Sequence, residues 1–194
     1  GLCQRTRRRR IIMTPITLIG EGWDDYGLID CGNGRKFEHY GPYRFVRPEP
    51  QALWAPALEA WDADGEFIPG ADEDGGGQWY HRTKLPQHGW SSGWEELTFN
   101  SRPTPFRHLG YFPDMAPVWQ WMRARRPETA LNLFGYTGVG SLALAATGAA
   151  VTHVDASKKS VDQARTNAAL SNLHDAPIRW IVDDASKFTA REVR

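Results

Sequence analysis

The residues with the clearest chemical potential sit in the last third of the chain. Phe134, Gly135, Tyr136, Thr137, Gly138 and Gly140 form a glycine-rich loop, Asp155 follows twenty residues after Gly135, and an acidic pair stands at Asp183 and Asp184. Glycines in a tight turn admit positive φ and let a backbone approach a ligand that side chains would hold off. A carboxylate about twenty residues further on can accept hydrogen bonds from both hydroxyls of a ribose. A glycine loop alone is a weak signal, because any strand-to-helix turn can carry one. Three polar groups at three successive strand ends are stronger, since helical crossovers bring them to one crevice at the carboxyl edge of a parallel sheet.

The elements that must position these groups are legible around them. A helix is expected over 113–126, with Pro117 tolerated in its first turn and Trp121 and Met122 on an apolar side. The apolar run 130–134 reads as a strand, 141–147 as an Ala/Leu helix ended by Gly148, and 150–154 as a second strand. Ser157 caps the next helix, whose Val161, Ala164 and Ala168 fall on one face. A third strand over 178–182 and the start of another helix complete a βαβαβ pattern. Upstream, Pro, Gly and aromatic residues dominate 14–110. Runs 26–30 and 35–40 flank Gly32, Asn33 and Gly34 as a hairpin, 43–47, 79–84 and 95–100 read as further strands, 51–61 as a short helix and 72–77 as a flexible acidic loop. The fold class is therefore α/β, with a β-rich N-terminal domain followed by the first half of a Rossmann-like domain. The expected division is a disordered basic leader at 1–12, the β-rich substrate-side domain at 13–110 and the partial nucleotide-binding domain at 111–194.

The order of the glycines separates two cofactors. Dinucleotide-binding loops run G-x-G-x-x-G and seat an anionic pyrophosphate on a helix N-terminus. Here the order is G-x-x-G-x-G, and the extra acid at Asp184 suits an adenine amino group better than a phosphate. S-adenosylmethionine carries ribose, adenine and a cationic sulfonium without phosphate, and fits this pattern.

Composition sets the outer limits. Of 194 residues, 41% are hydrophobic, 24% charged and 12% aromatic, which is globular rather than disordered or fibrous. No run approaches the roughly 20 apolar residues that cross a bilayer. Cys3 and Cys31 are too few for a disulfide framework or a zinc knuckle, which points to a reducing, cytoplasmic setting. The net charge of zero conceals blocks of +5 in 1–12, −9 in 13–80 and +4 in 81–194. A uniformly basic nucleic-acid binder is excluded, and any contact with phosphate falls to the leader or to the second half. The arginines at 5 and 7–10 lack an apolar segment behind them, so they are no secretory signal, and they read as an unstructured leader upstream of a start at Met13. The tryptophans at 23, 54, 61, 79, 90 and 94 read as core filling rather than base-stacking platforms. His39, His81, His88 and His108 have no metal-like spacing.

The run from Leu131 to Ser141 (LNLFGYTGVGS), Val154-Asp155-Ala156-Ser157, and the ARTNA segment from Ala164 to Ala168 resemble class I S-adenosylmethionine-dependent methyltransferases. Within that class the chain is similar to the bacterial group related to the cytosine-C5 methyltransferases of large-subunit ribosomal RNA, as are the segments GWDDY at 22–26, RPEPQALW at 47–54 and FRHLGYFP at 106–113. The resemblance implies methyl transfer to a base in ribosomal RNA. It places Gly135, Tyr136, Gly138 and Gly140 at the methionine end of the cofactor, counts Phe134 and Thr137 among the cofactor-binding residues, and sets Asp155 on the ribose, Ala156 and Ser157 beside the adenine, and Asp184 and Ala185 on the adenine edge.

The chain departs from that pattern twice. Asp114-Met115 stands where many relatives have an acid followed by Gln, and a fourth strand ending in an Asp-Pro-Pro-like motif, with a nucleophilic cysteine in some members, is expected beyond Arg194. The 194-residue chain is accordingly expected to bind cofactor weakly and to be catalytically inactive alone. Three alternatives share parts of the signal: a small-molecule methyltransferase, a nicotinamide-dependent oxidoreductase and a non-catalytic RNA-binding module. The oligomeric state is left open.

Overall fold

The computed structural model describes residues 15–70 and 76–193. The leader, and most of the acidic loop expected at 72–77, lie outside the described residues. Among them, no helix is long and apolar enough to cross a membrane.

The chain begins as a five-stranded sheet in the order β1-β2-β3-β4-β5: β1 (Tyr26–Gly32), β2 (Arg35–Tyr40), β3 (Tyr43–Pro48), β4 (Gly65–Pro69) and β5 (Gly77–His81). Asn33 at φ 51° and Gly34 at φ 74° make the β1–β2 turn, the left-handed pair that matches the twist of a hairpin. Neighbours are antiparallel except β3 and β4, which pair in parallel. The connection between those two, 51–61, forms no helix. Pro56 cannot donate, and the Asp30 carboxylate accepts from the backbone N–H of Ala57 and Leu58 and from Trp61 Nε1, which satisfies an irregular path instead. Those bonds, the one from Leu58 foremost, hold the Asp30 carboxyl down at about 2.

A hairpin of β6 (Trp90–Trp94) and β7 (Leu97–Ser101) follows. It is docked on the second half, where Thr98 N–H donates to Ser171 Oγ and Asn100 N–H donates to Asn167 Oδ1, both at 3.0 Å. A 3-10 turn (Pro113–Met115) leads into α1 (Ala116–Arg123). The remainder alternates β8 (Thr129–Leu133), α2 (Val139–Ala145), β9 (Ala150–Asp155), α3 (Lys158–Leu170), β10 (Ile178–Val182) and α4 (Ala185–Glu192). Its three strands are parallel in the order β10-β9-β8. Ser157 Oγ caps α3 by accepting from Ser160 N–H, and Gly148 at φ 92° follows α2.

One core joins these parts. Tyr40 and Phe45 of the large sheet, Trp94 and Phe99 of the hairpin, Trp119 of α1 and Leu142 of α2 are buried in a single cluster. Trp90 and Trp94 fill this core as expected, whereas Trp54 is 57% exposed. Beneath it a charged pair is sealed in: Arg47 donates through Nε and Nη2 to the Glu38 carboxylate at 2.8 and 2.9 Å, and Arg47 is 5% exposed and Glu38 fully buried. Arg47 Nη1 donates to the carbonyl of Arg107, which ties the large sheet to the segment running into the 3-10 turn.

Candidate active site

The glycine loop leaves β8 in a conformation that only dense support can hold. Phe134 at φ 57° and Tyr136 at φ 49° are non-glycine residues in the left-handed region, each costing on the order of 1–2 kcal/mol, and Gly138 follows at φ 88°. The supports are visible. Gly135 N–H donates to Val154 O and Gly138 N–H to Gly135 O, each at 2.9 Å. Tyr136 N–H donates to Asp155 Oδ2 at 2.9 Å, and Ser157 N–H to Asp155 Oδ1 at 2.8 Å. Thr137 Oγ1 donates to Gly110 O at 2.5 Å, and its own carbonyl accepts from Asn167 Nδ2 at 2.9 Å. Asp155 therefore braces the loop and the start of α3 before any ligand arrives, with a spare lone pair on each oxygen.

His153 lies under the loop, fully buried on β9. A Cβ built on Gly135 would stand 2.4 Å from His153 Cε1 and 2.5 Å from Nδ1, so residue 135 has no room for a side chain. The ring shares a 2.9 Å hydrogen bond between Nδ1 and Ser141 Oγ, packs on Trp180 at 4.9 Å between centroids, and leaves Nε2 without a partner. Burial pushes its pKa down to about 4, so the imidazole is neutral at neutral pH. Asn132 Nδ2 donates to the same Ser141 oxygen, linking β8, α2 and β9.

Above the loop is a cavity of about 410 Å³, within the usual range for small-ligand sites. The loop from Phe134 to Gly140 makes one wall, and Tyr111, Phe112, Val118, Trp119 and Met122 make the other. Among the described residues, its single charged lining residue is Asp114. Phe134 is 77% exposed, and Tyr136 packs on Phe112 at 5.2 Å between centroids. Burial raises the Tyr136 phenol, against the opposing pull of Arg102.

The structure thus brings Phe134, Gly135, Tyr136, Thr137, Gly138 and Gly140 to one cavity wall and sets Asp155, Ala156 and Ser157 at the tip of the adjacent strand. Asp184 and Ala185 lie one strand further along, where Asp184 Oδ1 caps α4 by accepting from Lys187 N–H and the Ala185 side chain is buried. Cys31, in β1, lines none of these walls. Sequence reasoning missed the apolar second wall, His153 and Asn167. A polar residue within an apolar run of β9, and another on the inner face of α3, were the available signals for the last two.

No protein-family model and no curated protein matches the chain. Among solved structures, an S-adenosylmethionine-dependent methyltransferase from Agrobacterium tumefaciens is 45% identical, with a TM-score of 0.85, over 93% of this chain and 59% of that one. A Streptococcus mutans protein assigned as a S-adenosylmethionine-dependent methyltransferase is 17% identical, with a TM-score of 0.67 over 88% of this chain and 49% of its own. The protein in the aTrm5–tRNALeu complex is 13% identical, with a TM-score of 0.50 over 74% and 46%. The last two are likenesses of fold. The fold is the one that these S-adenosylmethionine-dependent methyltransferases have, and over the shared length the likeness to the Agrobacterium protein extends to sequence. The chain spans 59% of the length of the Agrobacterium enzyme. The sequence resemblance to methyltransferases and the α/β fold class are both borne out.

Proposed function

We propose that the chain carries the cofactor-binding part of a methyltransferase that uses S-adenosylmethionine to methylate a base in ribosomal RNA, in a reducing, cytoplasmic setting. One observation carries the choice of cofactor. Among the described residues, the cavity over the glycine loop has Asp114 as its single charged lining residue and no Lys or Arg in its wall. A carboxylate there favours the α-ammonium and sulfonium of S-adenosylmethionine and opposes a pyrophosphate. Gly135, with no space for a Cβ, and Gly138, at positive φ, keep the wall thin enough for close approach.

In this reading, residues 134–140 hold the methionine end, and Asp155 takes the ribose hydroxyls on its spare lone pairs. Ala156 and Ser157 flank the adenine, whose edge meets Asp184 and the Ala185 backbone. The bound cofactor supplies a methyl group on sulfur. The residues of this chain orient it and exclude water through the aromatic wall of Tyr111, Phe112 and Trp119. The β-rich domain at 13–110 lies on the substrate side and presents the base unstacked. The RNA reading is supported by the sequence resemblance and by a fold neighbour solved with tRNA.

Calorimetric titration with S-adenosylhomocysteine, and separately with NAD, tests the cofactor. Saturable binding of the first alone, weakened at least about tenfold (about 1.4 kcal/mol) by Asp155→Ala, is expected. Binding of NAD with equal affinity, or indifference to the substitution, would refute the assignment.

A further inference from the structure

Tyr136 and Thr137 belong to the walls of two cavities. The second, of about 250 Å³, is lined among others by Arg102, Phe106, Ser157, Lys159 and Gln163. It shares Arg102, Thr104, Pro105 and Lys159 with a larger trough of about 670 Å³ that continues to His81 and Lys84. Among the described residues, no carboxylate lines either. Cavities elsewhere on the molecule contain Glu59 and Glu66, Asp114, or Glu192.

The three cations come from three separate places: Lys84 follows β5, Arg102 follows β7, and Lys159 is in the first turn of α3. All three are exposed, and none belongs to an ion pair among the described residues. Folding therefore gathers unneutralised positive charge from distant sequence into one continuous trough. The acidic residues of 13–80 make its contrast with the rest of the molecule sharper, since that block carries −9. Phe106, 56% exposed, offers an aromatic face on the same wall.

The geometry points to this trough as a track for single-stranded RNA, with Lys84, Arg102 and Lys159 on successive phosphates and Phe106 stacked on a base, leading the strand to the glycine loop. This rests on the methyltransferase reading and adds the path by which its substrate reaches the site. Cations in a row against a phosphodiester give sequence-independent affinity, and an aromatic face adds stacking that every base can use.

The test uses a fluorescein-labelled twelve-residue oligouridylate and four versions of the chain: the natural one, Lys84→Gln/Arg102→Gln/Lys159→Gln, a charge-matched control, Arg44→Gln/Arg165→Gln/Arg179→Gln, and Phe106→Ala. Each phosphate contact contributes about 0.7 to the slope of log K against log salt for single strands, so the trough variant should lose about 2 of that slope. Its affinity should fall at least about tenfold at 0.1 M salt, while the control stays within about twofold. Phe106→Ala should weaken oligouridylate binding with the slope unchanged.

Equal binding by the trough variant and the natural chain overturns the proposal, and so does an equal loss in both charge variants. Binding of poly-aspartate at the trough in preference to oligouridylate also overturns it and assigns an acidic protein segment instead. S-adenosylhomocysteine titrations of the same samples separate the two levels. Cofactor binding without trough-dependent RNA binding defeats the track and leaves the cofactor reading standing. Trough-dependent RNA binding without cofactor binding does the reverse.

Discussion

Gly135→Ala isolates what the glycine loop requires. The residue has no positive φ, so alanine is conformationally allowed there, and the whole penalty is steric. The new methyl would meet His153 Cε1 at 2.4 Å, Nδ1 at 2.5 Å and Nε2 at 3.0 Å, about 1 Å inside ordinary contact. The ring cannot simply retreat, because Nδ1 is held by Ser141 at 2.9 Å and its face by Trp180. Overpacking of this kind costs about 1–3 kcal/mol. At about 2–4 °C per kcal/mol for a chain of this size, the melting temperature should drop by roughly 2–12 °C. The loop takes up part of the displacement, so S-adenosylhomocysteine affinity should fall about tenfold, or about 1.4 kcal/mol. Adding His153→Ala opens the space, and Gly135→Ala should then cost little in either measurement on that background. A variant that melts and binds like the natural chain, or an alanine penalty that persists without the His153 ring, would refute the steric account.

Arg47→Met should cost about 3–5 kcal/mol in urea unfolding, because it strands the fully buried Glu38 carboxylate, and Glu38→Gln/Arg47→Met should regain most of it. Both His153 and His108 have pKa values lowered to about 4, chiefly by burial, so the unfolded chain binds protons that the folded one refuses as pH falls below 6.5. Stability should be full above that pH and decline towards 4, with His153 alone removing about 2–3 kcal/mol by pH 4.5; a flat profile from pH 7 to 4.5 in denaturant titrations would contradict the burial of both rings.

The second half of the chain was the more legible because its signals are local. The Ser157 cap and Gly148 bracket their helices where expected, and the three strands are short apolar runs with the polar groups at their ends. The first half depends on partners far away in sequence. β4 exists through parallel pairing with β3, and β6 is a Trp-Ser-Ser-Gly-Trp segment of low strand propensity, held by pairing with β7 and by two buried indoles. The sequence reads as a short helix at 51–61, but Pro56 and the acceptor Asp30 decide against it. The loop side of the cavity could be read from glycine spacing. Its aromatic side could not, because Tyr111, Phe112 and Trp119 look like any core residues until the fold turns them towards the loop.

The fully buried Asn167 amide serves three segments at once. Its oxygen accepts from Asn100 N–H of the hairpin and from Gln163 of its own helix, and its nitrogen donates to Thr137 O in the loop. Aspartate would bring the acceptor without the donor, and leucine, similar in size, neither. Closing the loop and seating the hairpin are therefore completed by one side chain, so the two should be gained and lost together. The glycine turn then inherits the persistence of the core beneath it, not the mobility usual for a surface connection.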